Sequence, residues 1–288
     1  MADVYAHRAY SQITLTLKKI KMVQISDLRI YPIKSCKGFS VPSVTLDAYG
    51  FTDDRRFMIV DTSGRFVTAR EVNPLLWIEP SIESGILYMR APGMELFATP
   101  IHLMPQSIVR VTVWEDTCEA WDCGGAPAEW LSQFLGARYR LVRMQPQFLR
   151  PVDRKYAVAD DHVSFADAYP ALVISEASLE LLNSKLASPV TMTRFRPNVV
   201  VSGCAAHEED TWQIMRTGAV EFRGVKRCSR CVLTTVDPET TESGAEPLKT
   251  LATYRRSAEG KIMFGMNLIP VQKNGKLRIG DTITYTGS

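Results

Sequence analysis

The chain contains neither a Gly-x-Gly-x-x-Gly run nor a Walker-type loop, so both common glycine-rich cradles for a nucleotide pyrophosphate are missing. It has no apolar run of 18 residues and no signal-type hydrophobic segment, which leaves no plain membrane-spanning helix and no secretory leader to expect. Cysteine is scarce: six in 288 residues are too few for a disulfide framework, and a reducing, cytoplasmic compartment is expected. An excess of one charge is also missing. Thirty-four Lys plus Arg against 31 Asp plus Glu leave a net +3, which argues against nucleic acid or another bulk polyanion as the main partner. Charge must therefore be read locally. No internal repeat or low-complexity tract appears, and 45% hydrophobic with 9% aromatic residues is ample for one large or two medium packed domains.

Alternating or continuous β-branched runs recur at 24–31, 57–60 and 109–114 and predict strands, with another at 139–144. Asp61-Thr62-Ser63-Gly64 between 57–60 and 66–69 reads as the turn of a β-hairpin. Helices are fewer. Trp130, Leu131, Phe134 and Leu135 share one face of a helix over 126–135 that stops at Gly136; Leu179, Leu182 and Leu186 do the same over 176–186, with Ser175 as N-cap. Many short strands with two or three helices give a mainly β (α+β) class of β-barrel-like domains rather than a parallel α/β sheet. Two prolines in Gln145-Pro146-Gln147-Phe148-Leu149-Arg150-Pro151 suggest a boundary, giving domains 23–148 and 149–288. Residues 1–22 are polar and then basic at Lys18, Lys19 and Lys21, and read as a loosely attached extension that could follow from an upstream start codon.

The peptide from Lys226 to Pro238 carries the most chemistry: Cys228 and Cys231 stand among Lys226, Arg227 and Arg230, followed by the β-branched run Val232-Leu233-Thr234-Thr235-Val236. Cationic neighbours favour an ionised sulfur, and the run reads as a strand anchoring the site. Three readings stay open. Cys-x-x-Cys is half of a zinc knuckle, with Cys118 and Cys123 the only other near pair. A thioredoxin-like redox pair would need a helix after the motif, where β-branched residues stand instead. The third is a single thiolate on a soft metal whose other ligands come from a cofactor, the basic residues neutralising that cofactor's phosphate.

Four further polar clusters sit at strand ends: Tyr31-Pro32-Ile33-Lys34-Ser35-Cys36-Lys37-Gly38, Asp53-Asp54-Arg55-Arg56-Phe57, Thr68-Ala69-Arg70 and Arg194-Phe195-Arg196-Pro197-Asn198. Singly each is an ordinary solvated loop. Converging on one cleft, they would make a phosphate cradle.

From about Ile25 onward the chain resembles the MOSC family of molybdenum-cofactor proteins, in its amidoxime-reducing branch and the bacterial relatives that detoxify N-hydroxylated bases. Tyr-Pro-Ile-Lys-Ser at 31–35, Asp-Arg-Arg-Phe at 54–57, Val-Thr-Ala-Arg at 67–70 and Ser-Phe-Ala-Asp-Ala-Tyr-Pro at 164–170 carry the likeness. So do Ser-Glu-Ala-Ser-Leu at 175–179, Phe-Arg-Pro-Asn-Val-Val-Val-Ser-Gly at 195–203, Cys-Ser-Arg-Cys-Val-Leu-Thr-Thr-Val-Asp-Pro at 228–238, Glu-Pro-Leu-Lys-Thr-Leu at 246–251 and Phe-Gly-Met-Asn at 264–267.

The resemblance implies an N-terminal β-domain packed on a β-barrel MOSC domain with the cofactor between them. It implies Cys231 as the molybdenum ligand with Cys228 a buried neighbour, and Lys34, Ser35, Arg56, Asp167, Arg196, Asn198, Ser229 and Arg230 as pterin and phosphate contacts. Asp237, before Pro238, is either a proton carrier or a plain turn residue, while Cys36, Cys118, Cys123 and Cys204 read as small packing residues. The implied activity is two-electron reduction of an N–O bond in a small N-hydroxylated substrate, giving amine and water. With no C-terminal iron–sulfur cysteine cluster after the last barrel strand, electrons are expected from a separate flavin, haem or iron–sulfur protein. A molybdenum-cofactor carrier, or a sulfur-transfer module bearing a persulfide on Cys231, is the competing reading.

Overall fold

The computed structural model describes residues 22–158 and 161–287, so the expected extension lies, but for Met22, outside the described residues. The fold is mainly β, with three α-helices among the described residues. An eight-stranded sheet runs in the order Thr284–Thr286, Ile214–Thr217, Val220–Ser229, Met263–Pro270, Ala171–Ser175, Val199–Ser202, Gln24–Ile30 and Phe39–Ser40. The first strand of the chain thus belongs to a sheet otherwise built mostly from the second half: Ile25 pairs Val201 and Leu28 pairs Val199, antiparallel. The reason is apolar complementarity. Ile25, Leu28, Val173, Val199, Val201, Phe222 and Leu268 form one core, at about 25 cal/mol per Å² of apolar surface removed from water.

A second core belongs to the N-terminal half, where Phe57–Val60, Arg140–Met144, Asp116–Asp122 and Ser107–Val113 form a four-stranded sheet in that order. The helix Gly125–Leu135 buries Leu131 and Trp130 there and ends at Gly136, whose φ of 72° is the left-handed conformation that glycine adopts without penalty. Ser175 caps the helix Glu176–Asn183 by accepting from the Ser178 N–H, although that helix ends before Leu186.

The expected hairpin forms in short: Phe66 and Val60 make an antiparallel bridge, the Asp61 N–H bonds to the Arg65 carbonyl and the Val67 N–H to the Ile59 carbonyl, while the longer ladder partner of Phe57–Val60 is Arg140–Met144. One local expectation fails. The run after Cys231 is not a strand. Val232–Thr235 winds into a 3-10 turn because the hydroxyls of Thr234 and Thr235 bond back to the carbonyls of Cys231 and Val232, at 3.0 and 2.8 Å. The β scaffold instead precedes the thiol, as Val220–Ser229.

Candidate active site

The loop after the first strand turns at Pro32 and is tied to the start of Phe57–Val60: the Phe57 N–H donates to the Pro32 carbonyl and the Lys34 N–H to the Phe57 carbonyl. That tie buries Lys34 to 4% exposure and sends its Nζ to the Phe165 carbonyl, 2.8 Å, and to the Asp167 carboxylate. Burial alone would lower the Lys34 ammonium, and it does so on balance although Asp167 opposes it. Asp167 sits in a crowded concavity yet leaves 61% of its side chain open to the cleft. Crowding would raise its carboxyl, but Lys34, Arg70 and the Trp114 indole outweigh that and hold it well below the usual carboxylate range.

Arg150 fixes the segment that presents Asp167. Its guanidinium donates to the carbonyls of Ser164, Ala166 and Asp167 at 3.0, 2.6 and 3.3 Å and pairs with Asp116 at 2.6 Å. Tyr31 organises the opposite wall. The guanidinium carbons of Arg55 and Arg196 lie 4.2 and 4.3 Å from its ring centroid, cation–π distances, and its hydroxyl donates to the Pro197 carbonyl. Arg196 also donates to the Cys36 carbonyl at 2.7 Å; burial and the nearby Arg55 bring its guanidinium down to about 10.

These walls enclose a cleft of about 730 Å³, a volume suited to a small-molecule or cofactor site. Lys34, Ser35, Asp167, Arg196, Asn198, Ser229, Arg230 and Cys231 all line it. Cys231 is exposed, with the Arg70 Nη1 3.7 Å from its sulfur. Cys228 is half-buried against the core around Leu172 and Phe264, and burial raises its thiol.

Some of the expected contacts are already engaged. Asn198 is buried, accepts from Arg55 and donates to Asp54 and to the Arg29 carbonyl, so its amide braces the wall. Arg230 directs three N–H groups at the carbonyls of Phe264 and Phe195.

Two expected residues lie outside the cleft lining. Arg56 turns away to pair with Asp47 over the Tyr49 ring, and its neighbour Arg55 faces the cleft instead. The physical reason is alternation: successive side chains entering the strand Phe57–Val60 point to opposite sides, so with Arg55 toward the cleft Arg56 is directed away from it. Asp237 accepts from the Glu239 and Thr240 N–H groups and pairs with Arg194 at 2.6 Å, the bonding of a turn residue.

Arg55 and Arg70 stand in the polar clusters expected to converge but outside the expected cofactor contacts, and Trp114 and Arg150 were not expected at the site at all. Backbone conformation is a signal for two of them. Of eight non-glycine residues with positive φ among the described residues, four line the cleft: Ser35, Arg55, Trp114 and Arg196. Each such residue costs about 1–3 kcal/mol, a strain that persists where the surroundings impose it.

One exposed sulfur ringed by cations is an incomplete metal site on its own. Among the described residues no group of three or more His, Cys, Asp or Glu could complete it. All six cysteines are free, and Cys36, Cys118 and Cys123 are buried packing residues. Such a donor set fits a metal that arrives with its own ligands and an anionic handle.

Residues 22–138 match the model of the MOSC N-terminal beta barrel domain and residues 160–284 that of the MOSC domain. The cleft draws its lining from both matched segments, which defines the class as a two-part MOSC protein. Within that class the similarity is specific. The chain is 37% identical to mitochondrial amidoxime-reducing component 1 of Homo sapiens, over 91% of this chain and 83% of that protein. It is 38% identical to component 1 of Mus musculus, over 91% and 82%, and 35% identical to mitochondrial amidoxime reducing component 2 of Bos taurus, over 90% and 82%. The chain belongs to the amidoxime-reducing MOSC family. Those relatives are named as mitochondrial, and no helix among the described residues of this chain is long and apolar enough to cross a membrane.

Proposed function

We propose that this chain is a molybdenum-cofactor-dependent reductase of N-hydroxylated compounds, amidoximes among them, yielding the amine-type product and water. The observation that carries the reading is the placement of one exposed thiol, Cys231, in a cleft whose walls present Lys34, Arg55, Arg70 and Arg196. When bound, the cofactor would supply the two-electron chemistry that cleaves the N–O bond. Cys231 would hold the metal through its sulfur, a soft ligand for a soft site. Lys34, Ser35, Arg196 and Ser229, which line the cleft, would hold the cofactor's phosphate, and Asp167 would offer an ionised carboxylate to the amide and amino edges of a pterin. Arg55 and Asn198 brace that wall through their mutual hydrogen bond. Arg150 holds the Asp167 segment still.

The electrons would come from a separate donor protein. Protein purified from a host that makes the cofactor should contain stoichiometric molybdenum and pterin and reduce benzamidoxime with a chemical reductant, yet remain inactive with NADH or NADPH alone. Turnover driven directly by a pyridine nucleotide overturns the donor assignment. Metal-free protein carrying a persulfide on Cys231 turns the reading to sulfur transfer.

A further inference from the structure

Trp114 stands where a tryptophan is costly. Val113 pairs with Asp116 across the hairpin Ser107–Val113 and Asp116–Asp122, so the turn is only Trp114 and Glu115. The first turn residue has φ of 56°, a conformation that glycine accepts freely and a bulky side chain does not. The indole gains little burial in return, remaining 42% exposed. Strain without burial points to a role in the cleft that Trp114 lines.

Three contacts fix the plane of that ring. The Arg70 guanidinium carbon lies 4.4 Å from its centroid, Phe66 packs against it at 5.2 Å with the rings tilted by 52°, and its Nε1–H donates to Asp167 at 3.3 Å. Two of the anchors are themselves cleft residues: Arg70 reaches the Cys231 sulfur and Asp167 holds Lys34. The result is a flat, partly uncovered aromatic surface held at a set orientation in the cleft that Cys231 also lines, with Arg70 between the two.

We propose that Trp114, held by Arg70, is a specificity-determining wall that selects planar N-hydroxylated substrates, such as aryl amidoximes, over compact ones. The inference rests on the reading of the cleft as an N–O reductase site. An amidoxime carbon is trigonal, so the group and an attached ring form an extended plane that can stack on indole, and desolvating both faces favours the complex. Hydroxylamine has no plane to stack. The wall therefore changes relative rates and leaves the N–O chemistry to other groups.

The test compares benzamidoxime with hydroxylamine in the cofactor-loaded wild type, in Trp114→Gly and Trp114→Asn, both of which tolerate the turn, and in Trp114→Phe, which keeps a flat ring. The ratio of kcat/KM for benzamidoxime to that for hydroxylamine should fall tenfold or more in the Gly and Asn variants, mainly through KM, and Phe should restore most of it. Calorimetric affinity for benzamidoxime should fall in parallel. Loss shared equally by both substrates, with the ratio unmoved, would show a merely structural residue and overturn the wall. A wild type inactive on both compounds refutes the reductase reading, and calorimetry alone then decides: benzamidoxime binding lost in the Gly or Asn variant upholds the wall, whereas equal binding, or none to the wild type, overturns it.

Discussion

The Nη1 of Arg70 lies 3.7 Å from the sulfur of Cys231, although the two residues come from different halves of the chain. Arg70 is carried on the segment after the Phe66 bridge, and Cys231 on the turn after Val220–Ser229. The contact therefore reports how the halves close on each other.

The two neighbouring cysteines should separate in function. Cys231→Ser replaces an exposed soft donor with a hard hydroxyl and is expected to abolish N-reduction and molybdenum retention with little change in melting temperature. Cys228→Ser places a hydroxyl against the core around Leu172 and Phe264, costing about 1–2 kcal/mol of stability while the metal is kept. Metal analysis, activity and thermal melts on both variants check this, and equal loss of metal in the two would contradict a single ligand.

The adjacent arginines 55 and 56 should behave oppositely. Arg55→Ala removes a guanidinium from the cleft wall together with its bonds to Asp54 and Asn198, and cofactor content should fall when cofactor is limiting. Arg56→Ala breaks a part-exposed pair with Asp47, a long bond to the Phe51 carbonyl and its stacking on Tyr49, a loss of about 1 kcal/mol. Pterin fluorescence after denaturation gives the content of each.

Arg150 is a structural brace. Replacing it with Ala would leave the carbonyls of Ser164, Ala166 and Asp167 short of donors, on the order of 3 kcal/mol and roughly 5–10 °C in melting temperature for a chain of this size. The Asp167 segment should also lose hydrogen-exchange protection, which mass spectrometry would detect. A melt indistinguishable from wild type would refute the brace.

His207 predicts an acid-sensitive step outside the cleft. Neither of its ring nitrogens has a hydrogen-bond partner, the rings of Tyr254 and Phe264 lie 5.8 and 5.7 Å away, and burial together with the nearby Arg255 brings its imidazole from 6.5 down to about 4. The folded value is the lower one, so the unfolded chain takes up the proton first as pH falls. Stability present above about 6.5 is therefore lost between about 6.5 and about 4, by about 1–2 kcal/mol once partial exposure is allowed for. His207→Phe should flatten that part of the stability-against-pH curve measured by urea unfolding.

The β class could be read from composition and alternation, because a strand half-buried in a sheet writes its period into the sequence, as Gln24–Ile30 and Ser107–Val113 do. The helix Gly125–Leu135 was equally plain from its apolar face and terminal Gly136. Val232–Thr235 was not, since threonine hydroxyls that cap carbonyls turn a β-like composition into a 3-10 turn. Eight of the expected site residues share one cleft, drawn there by loops at strand ends. Of the adjacent Arg55 and Arg56 only Arg55 lines the cleft, because the turn before Phe57–Val60 sets which of two alternating side chains faces inward, and composition does not record that phase. Arg150 reads as a surface cation near two prolines, yet it is 4% exposed, and only the three carbonyls around it explain why.

The pairing of Gln24–Ile30 with Val199–Ser202 has a consequence for how the molecule comes into being. During synthesis the first strand leaves the ribosome long before its partner exists, and its apolar side must wait, exposed or loosely collapsed, until residues 199–202 have emerged. The converse holds for dissection. A fragment starting near residue 149 would present Val199–Ser202 as a bare sheet edge, with N–H and C=O groups open to any passing strand, so association rather than a stable half-molecule is the expected product.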